Sequence, residues 1–241
     1  MLRSGNPALS DNVFQAPAYS GVPGVMTIQG TVNKTLILLF LALLTASWTW
    51  GNPSMAVGLM MPAILIGLAV GFVTIFKKEW AAVTAPLYAL VEGVILGGIS
   101  TYFEMAYPGI VTQAVMLTFG VLFSLLMAYK SGLIRATENF KLGIVAATGG
   151  IMVLYIVDLV MGIFGKHIPF IYQGGPWGIG FSVIVVIIAA LNLVMDFDFI
   201  EKGAEQGAPK YMEWYGAFGL LVTLIWLYLE ILRLLAKSRR R

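Results

Sequence analysis

The chain lacks cysteine altogether and has a single histidine, His167, in 241 residues. The first absence excludes disulfide frameworks, thiolate zinc sites, iron–sulfur clusters and cysteine nucleophiles, and carries no information about redox compartment. The second leaves no partner for a histidine metal site. Charge is almost as scarce: 11% of residues are charged and 59% hydrophobic, with a mean hydropathy of +0.87, whereas a soluble domain carries about 25% charged residues. Too little polar material remains to coat a water-facing surface, so the sequence belongs in a bilayer. The net charge of +3 is too small and too scattered for nucleic-acid binding. The one dense basic run is Lys237, Arg239, Arg240 and Arg241, directly after an apolar helix, where lipid headgroups are the acidic neighbours.

Residues 1–30 are rich in Pro, Gly, Ser and Asn, as in Tyr19-Ser20-Gly21-Val22-Pro23-Gly24, and show no apolar period. They are expected to form a disordered cytoplasmic tail, with a membrane domain over 31–241. No continuous apolar core precedes Leu36, so a cleaved secretory signal is not expected. Seven apolar runs follow, at about 32–50, 55–76, 81–103, 110–130, 141–164, 178–200 and 212–236, each close to the roughly 20 residues that span the hydrocarbon layer as a helix. Turn formers and charges separate them, among them Gly51-Asn52-Pro53-Ser54, Lys77-Lys78-Glu79 and Tyr107-Pro108-Gly109, which is how helices end. Alternating barrel-like patterning is missing, and the expected fold is an all-α, polytopic bundle of seven transmembrane helices.

Lys and Arg in the loops set the orientation. The tail and the second, fourth and sixth loops hold Arg3, Lys34, Lys77, Lys78, Lys130, Arg135, Lys141, Lys202 and Lys210, against only Lys166 in the opposite loops. The N-terminus is therefore expected in the cytoplasm. Seven crossings then place the basic C-terminus on the far side, in conflict with the same rule; six crossings with one re-entrant segment are the alternative. Trp48, Trp50, Trp80, Trp177, Tyr211, Trp214 and Tyr215 sit at span ends, as interfacial anchors do. Gly93, Gly97 and Gly98 follow a small-xxx-small spacing that lets helices approach closely, which points to the third span as a packing centre.

The informative polar residues are acids at membrane depth, which cost several kilocalories per mole unless protonated, paired or wetted. They are Glu92 in the third run, Asp158 in the fifth, Asp196 and Asp198 in the sixth and Glu230 in the seventh. Each has a plain reading: Asp198 as a solvated helix end, Asp158 as interfacial, Glu230 as half of a local ion pair with Arg233 at i+3, and Glu92 as a hydrogen-bonded neighbour of another helix. Several acids on several helices favour an ion or proton path. Two carboxylates meeting in a dry pocket cannot both ionise cheaply and would share a proton, which makes a pH sensor. Deprotonated, they are hard oxygen ligands for a divalent cation, above all Ca²⁺; protonated, they hold no cation and lock two helices together.

The sixth-run ending Met195-Asp196-Phe197-Asp198-Phe199-Ile200-Glu201-Lys202 and the segment Leu227-Tyr228-Leu229-Glu230-Ile231-Leu232 resemble the C-terminal half of the Bax inhibitor-1 (transmembrane BAX inhibitor motif) family. Glu92-Gly93-Val94-Ile95-Leu96-Gly97-Gly98 and Met105-Ala106-Tyr107-Pro108-Gly109 are similar to its Gly-x-x-Leu-Gly helix and Pro turn, and Ser4-Gly5-Asn6-Pro7-Ala8-Leu9 to the opening of a bacterial branch. The resemblance implies a seven-helix fold with the last helix central, a bacterial plasma-membrane location, and a pH-sensitive calcium leak. It also implies an acid pair on the sixth and seventh helices, at Asp196 and Glu230 by position, as cation ligands. Two features depart from the pattern: the second acid is Glu, and Arg233 stands where an uncharged residue is usual.

Asp196 and Glu230 are 34 positions apart. A turn near residue 206 would set Asp196 opposite about residue 216, leaving Glu230 about 21 Å further along the axis. Glu230 is then expected to meet Glu92 or Asp158 instead. The expected function is a calcium or other cation leak gated by protonation of Glu230, Asp196 and Glu92, with Arg233 as an ion-pair partner. No Ser–His–Asp set and no phosphate-binding glycine loop suggests an enzyme or a cofactor. The partners foreseen are the lipid bilayer, Ca²⁺ and protons. The alternatives are a proton-coupled transporter of a small solute, and a regulatory protein acting through partners with its tail as ligand.

Overall fold

The computed structural model describes residues 24–239. Most of the tail, with Arg3 and the Ser4–Leu9 segment, and the terminal Arg240 and Arg241 lie outside them. Eight α-helices follow in order: α1 Ile28–Trp50, α2 Pro53–Phe76, α3 Ala81–Ala106, α4 Ile110–Lys130, α5 Glu138–Ile163, the four-residue α6 Pro169–Tyr172, α7 Pro176–Glu205 and α8 Met212–Arg239. Seven are long and apolar enough to cross a membrane, all except α6. These seven helices match the seven apolar runs.

Local chemistry explains the boundaries. Thr27 caps α1 by accepting from the Gly30 amide, and Thr137 caps α5 by accepting from Phe140, each satisfying a donor that has no partner inside its helix. Pro53 and Pro176 stand in first turns, where a missing N–H costs nothing. Gly109, at φ +80°, supplies the left-handed step between α3 and α4. Pro62 and Pro86 lie inside α2 and α3 without ending them. Two boundaries differ from expectation. α7 runs on through Glu201 and Lys202 to Glu205, and α1 starts at Ile28, so the membrane domain begins before residue 31.

The segment before α1 belongs to the fold. Val25 bridges to Pro209, the Met26 amide donates to Ala208, and the Lys210 amide donates to Gly24. This strap ties the start of α1 to the α7–α8 turn. Glycine spacing works as expected, but its partner is α1: a Cβ on Gly93 or Gly97 would collide with the Ala42 or Ala46 carbonyl, so these glycines let α3 lie directly on α1. In its most apolar stretch α8 is 61% buried, against 39% for α3 and α7 and 17% for α5. It packs on α1, α3, α4 and α7, whereas α5 makes its backbone-level contacts with α7. The third helix is thus not the most enclosed; the last is.

Candidate functional site

Along α5 the residues Lys141, Thr148 and Tyr155 recur every seven positions, two helical turns apart on one face. Each finds a polar partner across the bundle. Lys141 Nζ lies 2.8 Å from Asp198 Oδ2 on α7, which also holds Lys202 at 3.0 Å. Asn192 on α7 donates to Thr148 Oγ1 at 2.9 Å and to the Ile188 carbonyl at 2.8 Å. Tyr155 Oη donates to Glu230 Oε1 on α8 at 2.8 Å and accepts from Arg233 Nη1 at 2.7 Å. One turn on, Asp158 closes the row. From Lys141 to Asp158 is about 25 Å at 1.5 Å per residue, most of the roughly 30 Å hydrocarbon layer. A polar seam therefore runs nearly across the membrane between α5 and the α7–α8 pair.

Glu230 is its best-enclosed member, with a side chain only 2% exposed. Arg233 Nη1 donates to Glu230 Oε1 at 2.8 Å, and its guanidinium lies 5.3 Å from the Tyr155 ring centre. The local ion pair foreseen at i+3 forms, and it recruits a tyrosine from α5. Glu230 Oε2 is buried and accepts no hydrogen bond. Asp196 reaches Thr223 of α8, while its Oδ2 is likewise buried without a hydrogen-bond partner. Thr223 precedes Glu230 by seven positions, about 10 Å along the axis. The offset between the two acids is therefore about half of that expected. The reason is the turn, which sits closer to residue 208, as the contact between Ile200 and Gly216 shows. The two carboxylates flank one stretch of α8 without hydrogen-bonding each other.

The remaining acids divide. Asp158 is 3% exposed. It accepts from the Ile168 amide at 2.8 Å and Tyr172 Oη at 2.5 Å, with His167 Nδ1 at 3.5 Å. It thus holds the α5–α6 connection down as a buried clamp. The bond to Asp158 raises the Tyr172 phenol above its ordinary range. Tyr155, Asp158, His167, Tyr172 and Arg233 line a cleft of about 440 Å³ at this end, so Asp158 shares a space with Glu230's partners without bonding Glu230. Asp198, inside α7, is held by Lys141 of α5 and Lys202 of its own helix and is not a free helix end. Glu92 stands apart: it lies beside Tyr88 on its own helix and faces Gly67 of α2, so it does not meet Glu230. Among the described residues no three His, Asp or Glu side chains gather to hold a metal ion.

Sequence reading passed over Glu213, which has no exposed surface. It accepts from the Thr27 amide and Thr27 Oγ1, both at 2.9 Å, and pairs with Lys210 at 2.8 Å and with Lys34. This fully satisfied carboxylate anchors the strap to α8. It also missed Thr148, Tyr155, Asn192 and Thr223, of which the heptad spacing of Lys141, Thr148 and Tyr155 was the available signal. Lys237, 3% exposed, donates to Ser182 Oγ at 2.7 Å and to the Gly178 carbonyl at 3.1 Å.

Seven apolar helices with a row of ionisable groups between them define a polytopic membrane protein. The family model described as Bax inhibitor 1 like matches residues 6–240, and the chain belongs to that family. No curated protein and no solved structure matches it.

Proposed function

We propose that the protein is a pH-sensitive leak for Ca²⁺ or a similar cation in a bacterial plasma membrane, with the seam as its path. The observation that carries this is the pair of buried carboxylate oxygens, Asp196 Oδ2 and Glu230 Oε2, left without hydrogen-bond partners on either side of one stretch of α8. A buried acceptor without a donor is costly. It is retained where a proton or cation visits, and intramembrane acids mark such paths. Ca²⁺ would be the transported ion and not a resident cofactor, and no catalytic set suggests an enzyme.

Gating follows from the latch. With Glu230 ionised, Arg233 and Tyr155 are drawn to it and α5 is pinned to α8. Protonating Glu230 removes the charge that holds Arg233 and loosens α5, of whose most apolar stretch only 17% is buried. The leak therefore rises as pH falls. This reverses the sign that an acid–acid pair would give, because the partner of Glu230 is a cation. Asp196, with no cation of its own, serves as the ligand for the passing ion.

The N-terminus is assigned to the cytoplasm. Two of the five C-terminal basic residues that oppose this are internal: Arg233 is paired with Glu230 and Lys237 is buried against Ser182. Neither faces headgroups, so neither weighs in the loop balance. The test is Ca²⁺ flux into dye-loaded proteoliposomes between about pH 5 and pH 8. Wild-type flux rising toward acid, high flux at every pH in Glu230→Gln, and reduced flux in Asp196→Asn are expected. Flux no greater than in empty vesicles at any pH would overturn the leak and favour a proton-coupled transporter.

A further inference from the structure

On the opposite side of α8 from the seam, α1 and α4 both pack on α3 and α8 but scarcely on each other. The gap between them is an apolar groove, walled by Leu39 to Trp50 on α1 and by Val111 to Phe119 on α4, with Leu224 and Tyr228 of α8 at its floor. We infer that this groove is a binding site for one acyl chain of a bilayer phospholipid, in the leaflet opposite the basic loops.

Three observations fix the occupant. The first is length: Leu39 to Trp50 is about 16 Å of helix, and half the hydrocarbon layer is about 15 Å, so the groove runs from the midplane to one interface. The second is dryness. Its volume is about 160 Å³ and its lining is almost wholly apolar, and apolar cavities of about 150 Å³ stay empty of water and accept hydrocarbon. Its deeper polar groups are already satisfied: Ser100 Oγ and Tyr228 Oη bond each other at 2.7 Å, and Thr118 Oγ1 donates to the Ala114 carbonyl at 2.7 Å. The third is charge at the mouth. Arg239 donates to the Pro108 carbonyl at 3.0 Å and to Gln113 Oε1 at 2.9 Å, flanking Val111 and setting a cation at the level where a phosphate headgroup ends the chain. Trp50 lies at the same interface.

The consequence is that α8 is gripped from two sides, by the Glu230 latch on one and by a lipid chain on the other. Tyr228, at the groove floor, is two residues from Glu230. Lipid binding itself is independent of any ion flux.

The test is native mass spectrometry of the full chain, released from mild detergent in the presence of a palmitoyl-oleoyl phosphatidylglycerol. Ser47→Trp and Val115→Phe fill the groove from its two walls. Val145→Phe, on the lipid-facing side of α5 (57% exposed), adds the same bulk elsewhere. Each is read only as monodisperse protein of wild-type helicity, and either groove variant suffices. One phospholipid per chain is expected for wild type and Val145→Phe, with at least tenfold lower occupancy in the groove variants. Equal retention by all, or none by wild type, would overturn the site. Because the chain has no cysteine, Ser47→Cys supplies a unique thiol; its efficient cross-linking into disulfide dimers in vesicles would assign the groove to a second copy and equally overturn the proposal.

Discussion

Replacing Arg233 by Met tests whether the latch is an energetic unit or a coincidence of neighbours. Met keeps an apolar stem against the helix, so the change removes charge and donors more than packing. In the native chain one nitrogen, Nη1, serves both Glu230 Oε1 at 2.8 Å and Tyr155 Oη at 2.7 Å. Stripping a partner from a fully buried ion pair costs about 3–5 kcal/mol. Here Glu230 is 2% exposed but Arg233 is 35% exposed, so solvent in the cleft screens part of the pair and the expected loss is about 2–3 kcal/mol. Glu230→Gln removes the other charge, and the double variant leaves neither. It should therefore lose about 1.5–2 kcal/mol less than the sum of the single changes. Reversible unfolding in mixed micelles of mild detergent and dodecyl sulfate, over all four proteins at neutral pH, measures this coupling. A coupling below about 0.5 kcal/mol at neutral pH, the level of an ordinary polar contact between membrane helices, would refute the latch.

The same geometry makes four further claims. Arg233→Met should leak Ca²⁺ at neutral pH as wild type does in acid, and Tyr155→Phe should do so in part, both read by dye-loaded vesicles; unchanged flux in both would remove α5 from the gate. Glu213→Ala should cost more than about 3 kcal/mol, since it strands Lys34 and two donors of Thr27, and should expose residues 24–30 to protease; a resistant strap would show that Glu213 is not its anchor. Gly97→Val should push α3 off α1 at a cost of about 1–3 kcal/mol by overpacking, whereas Gly120→Ala, with open space around it, should be neutral in the same unfolding assay. Asp158→Asn should weaken the clamp on Ile168 and Tyr172, bringing the phenol of Tyr172 back toward its ordinary range; an ultraviolet titration, with Tyr172→Phe to identify the group, reads the change.

Much of the architecture was legible because the bilayer leaves the backbone so little choice. An apolar run of about 20 residues must satisfy its own amides, and only a helix does so. The seven runs, the turn residues that end them and the acids inside the runs, Glu213 excepted, were therefore legible in the sequence alone. The site was legible only in its ingredients. Which acid meets which group depends on helix register, and a shift of the α7–α8 turn by a few residues moved Asp196 from about residue 216 to Thr223. Glu92 and Glu230 are both mid-helix acids, yet one faces α2 and the other α5, since rotation about a helix axis is set by packing and not by depth.

Sequence therefore determined that the chain carries seven helices long and apolar enough to cross a membrane, with acids inside them. Tertiary structure alone decided that the Glu230–Arg233 pair recruits Tyr155, that Lys141 of α5 joins Lys202 on Asp198, and that Glu213 is structural. The physical reason is range. Hydropathy and turn propensity act over one helix at a time, whereas the protonation and partnership of a buried carboxylate are set by side chains tens of residues away, brought within 3 Å by the fold.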